Sequence, residues 1–453
     1  MLPRFLQTLW GNLSNKELKK FGMLSCIITL ILGNYWMLRV LKNPIFNDLV
    51  GLEYQPYAKM SSIFVVAFII LIYSKLVDLF DKKTLFDIIC AFYGIIFFFI
   101  CFVTIYPHHF SIDSSSSIFM MIDWIPGKLI GWISYFAFES YSLLMILFWS
   151  FVASITKPES AKKGYAMIIT CTQIGTISGP ALVTHYATKI GAPLLVGLGG
   201  ILVLVVPFLV RLYHRVIPKE DLPAIAASDP KKPKTGFLEG IKLIFTQPYV
   251  MGILVVSTIY EIIGTILEFQ MNMIAKEVFT SRDLFAAFTG KYGMSINSLA
   301  MLFALLGTSF FMRKFGLRFC LLAYPIAIGV VLCLLLGFNF TGASHVEIMW
   351  ALFASMVAVK GFSYSLNNPT KEVMYIPTTK DVRFKAKGWI ESFGGRASKG
   401  AGAVVTSAFT ENLPALLLCG TLISLGVVGI WIIVANLLGK KFNKLQISNA
   451  IIG

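Results

Sequence analysis

Twelve runs of apolar residues, each near 20 long, recur along this chain and limit what it can fold into more than any other feature. They cover 22–42, 57–79, 85–106, 129–154, 164–187 and 193–213, then 249–274, 291–312, 318–338, 346–376, 386–409 and 413–437. A helix rises 1.5 Å per residue, so about 20 residues cross the ~30 Å hydrocarbon core of a bilayer. Only 14% of the 453 residues are charged and 57% are hydrophobic, whereas soluble domains average about 25% charged. Backbone facing lipid must satisfy its own polar groups, which helices do within one segment. The expected fold is all-α: a polytopic membrane protein with about 12 transmembrane helices.

Charge orients it. One set of span ends collects Lys16, Lys19, Lys20, Lys82, Lys83, the basic stretches 157–163 and 211–242, Arg313, Lys314, Arg318, 380–387, Lys440, Lys441 and Lys444. The opposite loops hold Asp48, Glu53, Asp113, Asp123 and Glu411. By the positive-inside rule both termini lie in the cytoplasm. The net charge of +16 is then topogenic, and no nucleic-acid partner is expected. No cleavage site follows the first apolar run, so no signal peptide is expected. The seven cysteines lie singly in apolar runs, without disulfide or metal-ligand spacing. No phosphate-cradling G-x-x-x-x-G-K-[ST] loop occurs. His108 and Asp113 have an acyltransferase-like spacing but stand alone on an outer loop. The chain is not expected to be an enzyme, and no catalytic residue, metal or cofactor is expected.

Two halves repeat a pattern. Tight charged hairpins separate the second and third spans at 78–83 and the eighth and ninth at 313–318. Thr156 to Tyr165 opens the fifth span as Thr379 to Trp389 opens the eleventh, and both spans are rich in small residues: Gly175, Ser178 and Gly179, then Gly394, Gly395, Gly400 and Gly402. Small residues let helices approach closely in lipid. Between the halves, 214–247 carries four prolines among lysines, which argues against a packed domain. Its last part, 237–245, puts Phe237, Ile241, Ile244 and Phe245 on one helical face suited to the membrane surface. The expected organisation is 1–213, a basic cytoplasmic linker 214–247, and 248–453, in the 6+6 pseudo-repeat of the major facilitator fold, whose cargo binds between halves at the midplane.

Charges inside apolar runs point to the cargo. A charge in a span costs about 2.5–3.5 kcal/mol on insertion scales and marks function by default. Glu139 sits within the run 130–152. Arg39 and Lys42 end the first span, where Lys42 also suits snorkelling to the interface. Glu261 and Glu268 lie two turns apart on one face of the seventh span and need bases opposite or protons of their own. Lys360 and Lys371 would share a face of the tenth span if it were regular, but Pro369 interrupts it. Lysines and acids placed this way suit an anionic or zwitterionic cargo.

These residues resemble a known family, the nucleotide translocases of energy-parasitic intracellular bacteria and plastids, also called ATP:ADP antiporters. The strongest likeness runs without a gap from Lys371 through Pro377 and Lys380–Lys385 to Glu391, Arg396, Lys399 and Gly402. Asn34, Tyr35, Leu38, Arg39 and Lys42 add to it, as do Glu139 with Trp149, and Glu268. The resemblance implies that Lys42, Glu139, Glu268 and Lys371 are needed for transport. Arg39, Arg396, Lys360 and Lys399 would be further substrate contacts, and Glu261 with Glu268 would couple. Four positions depart from the family pattern: Asn43 stands where an acid is usual, Asn367–Asn368 where an aromatic–Asp pair is usual, Ser363 for a lysine, and Glu261 for a small residue. Members exchange ATP for ADP, import nucleoside triphosphates with protons, or carry NAD, and these cargoes stay open, as does another facilitator of the peptide or drug class. A monomer surrounded by membrane lipid, in the inner membrane of a bacterium, is expected. Asp78 or Asp81 pairing with Lys385 or Lys387 would form a cytoplasmic gate.

Overall fold

The computed structural model describes residues 14–106, 125–156, 158–217, 237–306, 309–363, 367–379, 381–448 and 450–452. The helices are α1 Asn15–Leu49, α2 Gln55–Leu79, α3 Lys82–Ile105, α4 Ile130–Ser140, α5 Leu143–Ile155, α6 Pro158–Ile190, α7 Ala192–Val216 and α8 Phe237–Thr246. They continue as α9 Pro248–Thr258, α10 Tyr260–Val278, α11 Arg282–Leu306, α12 Ser309–Phe340, α13 His345–Phe362, α14 Asn368–Met374, α15 Gly395–Ser407 and α16 Leu413–Ser448. No strand occurs among the described residues, only an isolated bridge between Thr378 and Ile452.

Ten helical stretches among the described residues are long and apolar enough to cross a membrane, which makes this an integral membrane protein. Two of the twelve expected spans, 291–312 and 386–409, are not among the ten. α11 carries Arg282, Asp283 and Lys291, and its last residues adjoin 307–308, outside the described set. The other expected span is a composite. Wide i→i+5 turns at Val382–Ala386 and Ile390–Gly394 precede α15, whose Arg396, Lys399 and glycines dilute its apolar character. The described residues 291–306 and 386–407 are helical.

Residues group into two compact units. The first contains the described residues up to Ala58, those from Phe64 to Ile217, and Phe279–Asn297; the second contains Lys59–Ile63, the described part of Lys231–Val278, and Ser298 onward. In the first unit α6 crosses α1 at glycines. A Cβ on Gly175 would run into the Thr29 carbonyl, and one on Gly179 into that of Gly33. In the second unit α15 meets α10 in the same way, Gly402 lying where a Cβ would be 2.8 Å from the Ile262 carbonyl oxygen. α3 packs on α7, and α12 packs on α16, so matching spans pair alike in the two units.

The first half of α11 belongs to the first unit, although its place in the sequence assigns it to the second half. Arg282 pairs with Asp48 at 2.8 Å, and Asp283 accepts the Ala192 N–H at the start of α7 at 2.8 Å. Thr289 donates to the Val40 carbonyl at 2.8 Å and Asn297 to that of Thr176 at 2.9 Å. Linker residues 218–236 lie outside the described residues, as do the side chains of Arg313, Lys314 and Pro369. The second hairpin turns at Gly316, φ 76°, a conformation that side-chain-bearing residues rarely adopt.

Candidate functional site

Broken helices position the buried charges. Immediately after Glu139 the ladder tightens, with the N–H of Leu144 bonded to Tyr141 and that of Met145 to Ser142, each three residues back. The same happens before Glu268, where the Ile262 N–H bonds the Ile259 carbonyl at 3.1 Å. Such three-residue turns release carbonyls from the regular helix for side chains to use.

In the first unit the Lys42 ammonium donates to Glu139 at 2.6 Å and lies 4.4 Å from the centre of the Tyr135 ring. The side chains are 12% and 27% exposed, so water screens the pair little. Arg39 faces the same way one turn earlier. Its guanidinium donates to the Tyr35 hydroxyl at 2.9 Å and stacks 4.9 Å over the Trp36 ring. Ring faces attract both cations through their quadrupoles.

The second unit holds two lysines with different surroundings. Lys360 donates to Glu268 at 2.9 Å, a closed pair like that of Lys42. Lys371 lies on α14, and residues 364–366 between α13 and α14 are outside the described set. Pro369 occupies the first turn of α14, where a missing N–H is tolerated. The Lys371 ammonium donates to the Ser257 carbonyl at 2.6 Å and sits 5.0 Å over the Tyr260 ring. No carboxylate lies within ion-pair distance of it among the described residues. It lines a cavity of about 590 Å³ together with Tyr260, Glu261, Glu372, Tyr375 and Glu391.

Each of the two seventh-span acids meets a base. Glu268 has Lys360, and Glu261 accepts from the Tyr260 hydroxyl at 2.6 Å and lies 3.8 Å from Lys399. Arg396 is half-buried on α15, with no hydrogen bond or ion pair among the described residues. Three of the residues assigned to a gate, Asp81, Lys385 and Lys387, have partners within their own units. Lys385 pairs with Asp381 at 3.0 Å, and Lys387 with Glu372 at 2.7 Å and Glu391 at 3.6 Å. Asp81 caps α3 through the N–H groups of Lys83 and Thr84. Helix capping serves Asp81, and neighbouring acids serve Lys385 and Lys387, each within its own unit.

Sequence reasoning missed Tyr135, Tyr260 and Tyr375. Tyr260 adjoins Glu261 and could have been suspected from that. Nothing in the sequence marks the Ser257 carbonyl, which depends on the break at Ile259.

Buried lysine–glutamate pairs beside helix breaks, in a fold of long apolar helices, define a secondary transporter. A family profile described as TLC ATP/ADP transporter matches residues 2–442. The chain belongs to that family. It is 27% identical over 441 residues to ADP,ATP carrier protein 1 of Rickettsia prowazekii, covering 88% of this chain and 87% of that one. ADP,ATP carrier protein 3 of Rickettsia bellii is 24% identical over 486 residues, with 96% of each chain covered. Among solved structures, the nucleoside transporter NupG aligns with a TM-score of 0.59 at 16% identity, over 93% of this chain and 99% of that one. The POT family transporter PepTSo aligns with a TM-score of 0.59 at 13% identity, over 95% of this chain and 98% of that one. Both likenesses concern the fold, which is that of major facilitator transporters.

Proposed function

We propose that this chain moves nucleotides across a membrane by alternating access, with Lys42 and Lys371 as the lysines that meet cargo phosphates. One observation carries the reading: of the three span lysines described above, Lys371 faces a cavity without a carboxylate at ion-pair distance. Its volume falls within the ~300–1,000 Å³ usual for small-molecule sites, and Tyr260 and Tyr375 give it aromatic walls. Glu261, Glu372 and Glu391 line the same cavity without reaching Lys371, and a phosphate gives it a direct anionic partner, charge-assisted hydrogen bonds being the strong ones.

Lys42 and Lys360 are held by Glu139 and Glu268 until cargo takes over the pairing, since an unpaired buried lysine would be costly. Arg39 and Arg396 offer forked donors to further phosphate oxygens, and Lys399 a third ammonium. The names of the Rickettsia relatives favour ATP/ADP exchange, while Glu261 adds an acid that could carry a proton with the cargo. Asp78 and Asp81, with Lys385 and Lys387, would act at the gate in another state of the cycle. The membrane is taken to be the inner membrane of a bacterium, with both termini cytoplasmic.

The test is counterflow in proteoliposomes with labelled ATP, ADP, other nucleoside triphosphates, NAD and a dipeptide. Nucleotide uptake that disappears in Lys371→Ala, with the variant inserted normally, is the expected result. Dipeptide uptake without nucleotide uptake would replace this reading with the peptide class.

A further inference from the structure

A second cavity, of about 650 Å³, lies wholly in the first unit and takes no part in the site described above. Its floor is α1 at Gly22, Cys26 and Gly33, its wall is α6 at Cys171 and Ile174, and Leu202 of α7 closes one edge. At 100° per residue, the α1 stripe that lines it points away from Tyr35, Arg39 and Lys42, by about half a turn. The α6 stripe likewise points away from Thr176, Pro180 and Thr184, the residues that meet α11. The cavity therefore opens on the side of α1 and α6 that neither the cargo charges nor α11 use. Cys26 is exposed there, and Ile174 is 61% exposed. In an integral membrane protein such a face meets acyl chains.

Two features select the occupant. From Gly22 to Gly33 the floor runs about 16 Å, close to half of the ~30 Å hydrocarbon core, which is the depth of one leaflet. Lys19 continues the same stripe one turn beyond Gly22, where hydrophobic lining gives way to the polar end of α1. Its side chain is exposed and makes no hydrogen bond or ion pair among the described residues. An apolar channel of one leaflet's depth ending at an ammonium matches an acyl chain attached to an anionic head. We propose that this groove is a binding site for an anionic phospholipid, with one acyl chain along Gly22, Cys26 and Gly33 and its phosphate at Lys19. The basic ends of membrane proteins attract anionic lipid by about 1 kcal/mol per lysine, or roughly five-fold in affinity.

Native mass spectrometry of the full chain released from detergent tests this, with phosphatidylglycerol and phosphatidylcholine of identical acyl chains. The wild type should keep one phosphatidylglycerol and hold phosphatidylcholine about five-fold less well. Lys19→Ala should erase that preference, and Cys26→Trp, which fills the groove, should lower retention of both lipids at least five-fold. Ile174→Trp, at the exposed rim, gives the same reading if Cys26→Trp does not elute as a single species. Equal retention of the two lipids by the wild type would overturn the assignment, as would undiminished retention in the tryptophan variants. Nucleotide counterflow does not enter these readouts, so they stand apart from the transport proposal.

Discussion

Glu139→Gln separates the structural and transport roles of the Lys42–Glu139 pair. The substitution removes the charge while keeping an amide oxygen near the ammonium, now 2.6 Å from Oε2. Breaking a buried ion pair from one side costs about 3–5 kcal/mol, and the neutral hydrogen bond that remains returns about 1. The net loss is therefore about 2–4 kcal/mol, or about 4–16 °C in melting temperature at ~2–4 °C per kcal/mol. Nucleotide binding then moves the other way. In the wild type a phosphate must displace Glu139 to reach Lys42, and in Glu139→Gln that opposition is gone. Saturating ATP, at about one hundred times its Kd, stabilises by about 2.7 kcal/mol, a rise of about 5–11 °C for the wild type. The rise should be larger in Glu139→Gln and smaller in Lys42→Met. Differential scanning fluorimetry of the three purified proteins, with and without ATP and ADP, measures both effects. Equal ligand-induced shifts in all three would refute a role for Lys42 in cargo binding, and an unchanged baseline in Glu139→Gln would refute the energetic weight given to the pair.

Other outcomes follow from particular contacts. Tyr260→Phe keeps the ring under Lys371 and loses only the hydroxyl on Glu261, so uptake should fall a few-fold, whereas Tyr260→Ala should reduce it much further; equal effects in a flux assay would discard the ring contact. Glu261→Gln should make uptake insensitive to a protonophore that slows the wild type, measured with an imposed proton gradient; unchanged sensitivity would remove Glu261 from coupling. The Thr84 hydroxyl, followed by backbone N–H groups of Thr84 and Lys83, holds the Asp81 carboxyl below its ordinary value. That contribution is present above about pH 4 and disappears as pH falls through the depressed value. Asp81→Ala should thus cost about 1 kcal/mol near neutral pH and less in strong acid, read as melting temperature against pH. Asp81→Asn retains an acceptor for the cap, so slowed transport in that variant, at unchanged stability, would assign the charge to the gate. Gly179→Val should prevent α6 from seating on α1, seen as loss of monodisperse protein on size exclusion, while Gly337→Ala, with open space at its Cβ, should not.

Helical spans were legible because hydrocarbon leaves a chain few choices. Runs of about 20 apolar residues must form helices to satisfy their own backbone, so ten stretches could be located, although ends such as that of the tenth span, expected at 376 and found at Phe362, were not fixed by composition. Glu139, Glu268, Lys360 and Lys371 stood out for the same reason, since a charge in lipid is too costly to be incidental. Pairing was another matter. Nothing along the sequence says that Lys360 meets Glu268 while Lys371 meets a carbonyl. That difference comes from what each lysine reaches, Glu268 for the first and the Ser257 carbonyl beside the break at Ile259 for the second. Placement of 279–297 in the first unit was equally hidden, because Arg282, Asp283, Thr289 and Asn297 find partners more than 90 residues away in sequence. Hydrophobic periodicity is local and depends on solvent alone, so the sequence by itself determined the class of protein and its candidate charges. Which charge lies opposite which depends on crossings such as Gly179 on Gly33 and on helix breaks at Ile259 and Tyr141, and only the tertiary structure decided it.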